Sequence, residues 1–145
     1  MATNRETIRD ALVTLLSAAL VGAGKLAETC TGSKVTDLTA KTPLVAVFGR
    51  GSGRERPPFF EGVPTFYLEI QVLVRQAYTG WTNAEAEDRL DAIEAVIAGV
   101  ILTNGVTANW RQIDYDGPSE MSEAKELSNG ILYFLEKIPV VVLAN

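Results

Sequence analysis

A long alternating run, Thr65-Phe-Tyr-Leu-Glu-Ile-Gln-Val-Leu-Val-Arg-Gln-Ala77, constrains the fold of this chain more than any other feature. Phe66, Leu68, Ile70, Val72 and Val74 fall on one face and Tyr67, Glu69, Gln71 and Arg75 on the other, the period-2 signature of a half-buried strand. At ~3.3 Å per residue such a strand spans roughly 40 Å, which is long for one domain. The residues before it, from Gly49 to Val63 (GRGSGRERPPFFEGV), combine glycine, arginine, proline and two adjacent phenylalanines. That composition predicts a protruding loop mounted on a rigid sheet.

The rest of the chain supplies partners for that strand. Ile8, Leu12, Leu15, Leu16 and Ala19 form a helical stripe in a first helix over 4–20, with Thr3 and Glu6 as a capping box and Gly22 and Gly24 ending it. A weak strand over 26–35 and a clearer one over 44–48 follow. Thr82 and Glu85 cap a second helix that runs to about Leu102, with an inward stripe of Leu90, Ile93, Ile97, Val100 and Ile101. Its first half carries Glu85, Glu87, Asp88, Asp91 and Glu94, a charge sign that suits the helix N-terminus. Asn104-Gly105 then turns into a strand over 106–115. An acidic loop over 119–130 leads to a last strand from Gly130, where Pro139 predicts an edge position or a break in pairing. The order α-β-β-β-α-β-β predicts a single α+β domain over 1–145. Its sheet is mixed or antiparallel, of about five strands, with both helices packed on one face.

The residue inventory narrows the function. The chain has 145 residues, 47% hydrophobic and 21% charged, enough for one packed core and too apolar for disorder. A net charge of −5 disfavours duplex binding. There is no histidine, the commonest general base and metal ligand. Cys30 stands alone, which excludes an internal disulfide and reads as a structural thiol. The apolar start is interrupted at helical spacing and reads as a folded helix, not a signal peptide. No run reaches the ~18 apolar residues of a membrane span. Gly22-Ala23-Gly24-Lys25 lacks the frame of a phosphate loop and follows a helix, so it reads as a helix end. Gly49–Gly53 follows a strand but leads into Pro57-Pro58, which supplies no helix N-terminus for an anion. No cofactor and no catalytic or metal site is expected.

The remaining candidates are surfaces. Asp114 and Asp116 share a face at a strand end; paired carboxylates can do acid–base work or hold a hard cation, and they also occur as solvated strand termini. Arg50, Arg54 and Arg56 are the one basic cluster, diluted by Glu55 and Glu61. It reads as a solvated loop, a protein-contact arm or a phosphate grip; with Phe59 and Phe60 beside it, arginine and aromatic enrichment favours a protein partner over DNA. Tyr78 and Trp81 either staple the second helix or touch a partner. Trp110 reads as core or subunit interface.

The element order, the length, and the opening NRETIRDALVTLLSAALVGAGKLAETCTGSKVTDLTAKTPLVAVFGRGSGRE together resemble the tail terminator (tail completion) proteins of long-tailed bacteriophages. The resemblance implies a virion protein, assembled in the host cytoplasm, that forms a ring, usually hexameric. Such a ring caps the tail tube, stops its growth and offers a docking surface to the head connector, while DNA passes through the bore without being read. It implies no catalytic residues. Within that frame Arg50, Arg54, Arg56, Phe59, Phe60, Tyr78 and Trp81 are the expected partner contacts, and Glu69 and Gln71 are expected to face the lumen. Head-closure and neck proteins share this size and composition. A small-ligand-binding module or enzyme subunit, with its site near Asp114, is the competing class.

Overall fold

The computed structural model describes residues 4–22, 24–33, 43–55, 63–75, 82–125 and 132–144. The elements run α1 (Arg5–Leu20), β1 (Thr29–Thr31), β2 (Leu44–Glu55), β3 (Val63–Arg75), α2 (Asn83–Thr103), β4 (Trp110–Tyr115), β5 (Glu120–Lys125) and β6 (Leu132–Ala144). The fold is α+β, and its one sheet has six strands in the order β1-β2-β3-β6-β4, with β5 also paired to β6. β1 joins β2 in parallel and every other pairing is antiparallel, so the sheet is mixed.

The alternating run is the middle of this sheet. Thr65–Arg75 of β3 pairs with Leu143–Tyr133 of β6 on one side and, through Leu44↔Leu73, with β2 on the other. Leu68, Ile70, Val72 and Val74 turn to the helices and are buried. They meet Ile8, Leu12, Leu16 and Leu20 of α1 and Ala86, Leu90, Ile93, Ile97 and Ile101 of α2 in one core cluster. Both helices therefore cover the same sheet face. Each fully buried aliphatic side chain in such a cluster contributes roughly 1.5–3 kcal/mol.

The caps are local chemistry. Asn4 begins α1, its Oδ1 accepting the Thr7 N–H at 2.8 Å; the capping residue is therefore one position later than Thr3, because an asparagine serves as well as a threonine. Thr82 caps α2, its hydroxyl accepting the Glu85 N–H at 3.3 Å. Gly22 and Gly24 take φ of 135° and 74°, conformations that L side chains avoid, where the chain leaves α1.

Four sequence expectations are revised. Residues 49–55 continue β2 instead of starting a loop, because the backbone of Val63–Leu68 holds them in a ladder that outweighs glycine's low strand propensity. The register shifts between Gly49 and Gly51, leaving Arg50 as the extra residue of a β-bulge. The acidic stretch 120–125 is a strand, since it completes the edge of β6; this makes six strands instead of five. β4 begins at Trp110 and not at Val106, because 104–109 form a turn closed by the Trp110 Nε1–H donating to the Asn104 carbonyl at 2.8 Å.

Pro139 marks a break and not an edge. β6 lies between β3 on one side and two successive strands on the other: β4 pairs with Val140–Ala144 and β5 with Leu132–Lys137. The Pro139 carbonyl accepts the Asp116 N–H at 2.9 Å, so its ring nitrogen faces that same gap, where a missing N–H removes no ladder bond.

Replacing Leu12, 1% exposed, with alanine should cost about 2–5 kcal/mol. Asn4→Ala should cost about 0.5–2 kcal/mol, through the cap alone. Denaturant unfolding of the two variants checks that order; equal costs would mean that α1 is not seated as described.

Candidate interaction surfaces

The face of the sheet turned away from the helices divides in two. Near the start of β2, Leu44, Ala46 and Leu73 are buried together, with Phe48 and Leu135 half-buried against them. Towards the bulge the same face becomes ionic. Arg50, Glu69, Asp116, Pro118, Glu120, Lys137 and Pro139 line an open cavity of about 280 Å³.

Arg50, the extra residue of the bulge, falls on the same outer face as Phe48 and reaches this groove. It lies on β2, with two strands between it and β4, yet its guanidinium meets the Asp116 carboxylate just beyond β4 at 3.4 Å, across the backbones of β3 and β6. Both side chains are about a third exposed, so the pair contributes at most about 1 kcal/mol. Its main effect is positional, holding a cation over the Glu69↔Pro139 rung. On the helix side of the bulge Gly49 leaves room for Arg5; a Cβ there would come within 2.6 Å of the Arg5 Cδ. Arg5 in turn lies over the Phe66 ring, 6.0 Å from its centroid.

The structure brings Glu69 and Gln71 together. The Gln71 amide donates to Glu69 Oε2 at 2.7 Å. Gln71 is 8% exposed while Glu69 is half-buried and lines the groove, so the two outward residues of β3 differ in what they present. Asp114 and Asp116 are both exposed; the Asp114 carboxylate accepts its neighbour's Tyr115 N–H at 2.8 Å and Asp116 takes Arg50. Among the described residues no group of three carboxylates or thiols can hold a metal ion. Arg56, Phe59, Phe60, Tyr78 and Trp81 lie outside the described residues, and Arg54 is described by its backbone pairing with Pro64. Trp110 is fully buried.

Three features escaped the sequence reading. Lys137 joins the groove, but β6 is apolar on both faces, so the pattern does not tell on which side Glu136 or Lys137 falls. Leu102 and Val106 are 85% and 75% exposed. Their signal was legible, since no charged residue occurs between Glu94 and Arg111. The third is Glu136, which points to the helix face opposite Val72 and Met121 and is 4% exposed. Its Oε2 accepts the Ser119 hydroxyl at 3.1 Å, and its Oε1 has no partner among the described residues. Burial pushes its pKa above the ordinary 4.5, with Glu94 and Asp91 of α2 adding to the rise and Ser119 opposing it. Tyr115 beside them is raised too, by burial first and then by Glu94, Asp114 and Glu136. Burial likewise pushes the Cys30 thiol up to about 11, which keeps it protonated. No described helix is long and apolar enough to cross a membrane.

No family model matches the chain, and no curated protein does. Solved structures that match include a chain of "Virion of native gene transfer agent (GTA) particle", with a TM-score of 0.49 and 8% identity over 92% of this chain and 84% of that one. A likeness this loose carries no argument about family or function.

The Glu136 environment makes a prediction with a definite sign. A carboxyl whose folded pKa is raised binds its proton more tightly when folded, so its contribution is full below pH 4.5 and is lost as pH rises towards the folded value. Glu136→Gln removes that dependence. The variant should melt higher than the parent at pH 8, and the gap should narrow as pH falls to 4.5. Parallel melting curves across that range would show that Glu136 is not strained by its burial.

Proposed function

We propose that this chain is a non-enzymatic structural subunit of a phage-type virion, forming a closed ring that caps the tail tube and receives the head connector. The observation that carries the reading is the β2–β3 ribbon. Its pairing continues through Arg54↔Pro64 and Glu55↔Val63, beyond the Thr65↔Leu143 rung where β6 joins, so the two strands that flank residues 56–62 in sequence end as a two-stranded ribbon. The sequence that joins its strands contains Pro57-Pro58-Phe59-Phe60, and arginine beside aromatic residues is the composition of a protein-contact segment. The sequence resemblance to tail terminators points the same way.

On this reading Arg54, Arg56, Phe59, Phe60, Tyr78 and Trp81 contact neighbouring subunits, the tube protein or the connector, while Arg50 belongs to the groove. The ionic groove faces the bore. Glu69, half-buried, supplies one of its carboxylates beside Asp116 and Glu120, and Gln71 acts from behind by donating to Glu69. With three carboxylates against Arg50 and Lys137 the groove has a small acidic excess, which disfavours adhesion of DNA phosphates. Contacts between copies are heterologous and must close, the condition that separates a ring from a filament.

The role has a direct test in a lysate that lacks only this protein. Electron micrographs should show filled heads and tails that remain unjoined, with tubes longer than normal because their growing rim is not blocked. Tails of normal length beside heads that leak DNA would assign the chain to head closure instead. Normal infectious particles would refute both structural roles.

A further inference from the structure

We propose that the acidic cluster of Asp91, Glu94 and Glu136, at the edge where β4 and β5 extend past α2, takes an arginine side chain of a partner protein. The inference does not depend on the ring reading.

Strand register gathers the groups. Tyr115 pairs with Val140 and Met121 with Glu136, so both side chains fall on the helix side of the sheet. They are nevertheless 37% and 48% exposed. The helices that bury Val140 therefore stop short of the β4–β5 edge, and a phenol ring and a thioether stand open there. Glu136 lies beside them, 4% exposed. Ser119, in the turn between β4 and β5, donates to its Oε2, while Oε1 has no partner among the described residues.

The charges around that orphan oxygen all have one sign. Asp91 and Glu94 of α2 both raise the Glu136 pKa, and Glu94 also raises that of Tyr115, so Glu94 stands near the two. The described ion pairs, Arg9–Asp10 and Arg50–Asp116, lie elsewhere. Arg89, the one basic residue of α2, is turned to the Leu26 carbonyl. A buried acceptor without a donor and acids without a counter-charge are each unfavourable, and one cationic donor relieves both.

The chemistry selects arginine among cations. Among the described residues no group of three carboxylates is placed to hold a metal ion. A guanidinium is planar, donates to two carboxylates at once and stacks on an aromatic face, which Tyr115 offers; a lysine ammonium is a compact, strongly hydrated point charge. Met121, opposite Glu136 in the ladder, has a flexible side chain that yields to admit it.

Met121 also supplies the reporter, since Met1 is the only other methionine. The protein labelled with methyl-13C methionine is titrated with the peptide acetyl-Gly-Arg-Gly-amide near neutral pH and physiological salt. The Met121 methyl resonance should shift saturably, and the peptide with neutral, near-isosteric citrulline should leave it in place. Glu136→Gln and Asp91→Asn should each weaken binding about tenfold, the scale of a lost charged hydrogen bond. Asp91 is exposed, so its variant keeps the test valid should Glu136→Gln fail to fold. Glu85→Gln, on the side of α2 that faces Leu26 and Arg89, should change nothing. An unmoved Met121 methyl, or equal binding of the citrulline peptide, overturns the site. Equal weakening by Glu85→Gln overturns it too, by showing attraction to net charge alone. Equally tight binding of acetyl-Gly-Lys-Gly-amide would overturn the choice of arginine.

Discussion

The β3–β6 ladder is the constraint on which everything else hangs. It fixes the register of the two longest inner strands, Thr65–Arg75 against Leu143–Tyr133, and thereby decides which side chains go to each face. A slip of one residue would send Leu68, Ile70, Val72 and Val74 away from both helices. With that register set, α1 and α2 have one apolar surface to cover, and they cover the same one. The break at Pro139 follows from the same arrangement, because β6 has only one free side and shares it between β4 and β5.

Among the described residues the helices seal one face and leave the other uncovered by helix. Its ionic half is built around Arg50, which lies at the bulge of β2 and reaches Asp116. The helix side has an exception of its own in Glu136, a carboxyl buried where the register demands an apolar residue. Its place beside Met121 of β5, with Asp91 and Glu94 of α2 adding to the rise of its pKa, ties that part of the sheet to pH. The two ends of α2 also differ, one acidic and the other apolar and exposed.

Much of this was legible in the residues. The alternation of β3, the stripe of α1 and the Thr82 cap each carry a local signal that the packed structure preserves. The signal fails where pairing overrides composition. Gly49–Glu55 looks like a loop because glycine and arginine form poor strands, and Glu120–Lys125 looks like one because it is acidic; both are held by a neighbour's backbone, which residue type does not reveal. The groove was half legible. Glu69 was visible from its strand position, whereas Lys137 and the reach of Arg50 depend on which strands lie side by side. The exposure of Leu102 and Val106 was written in the uncharged stretch from Ala95 to Trp110, where the inward stripe alone drew the eye.

The central claim is that copies of this chain close a ring around a passage at the end of a tail tube. A reconstruction of the neck region of assembled particles tests it most directly. The account predicts a closed ring of this fold at the head-proximal end of the tube, with Glu69 and Lys137 lining its bore. Copies placed at the distal tail tip or on the head surface, or an open array with no central passage, would contradict it.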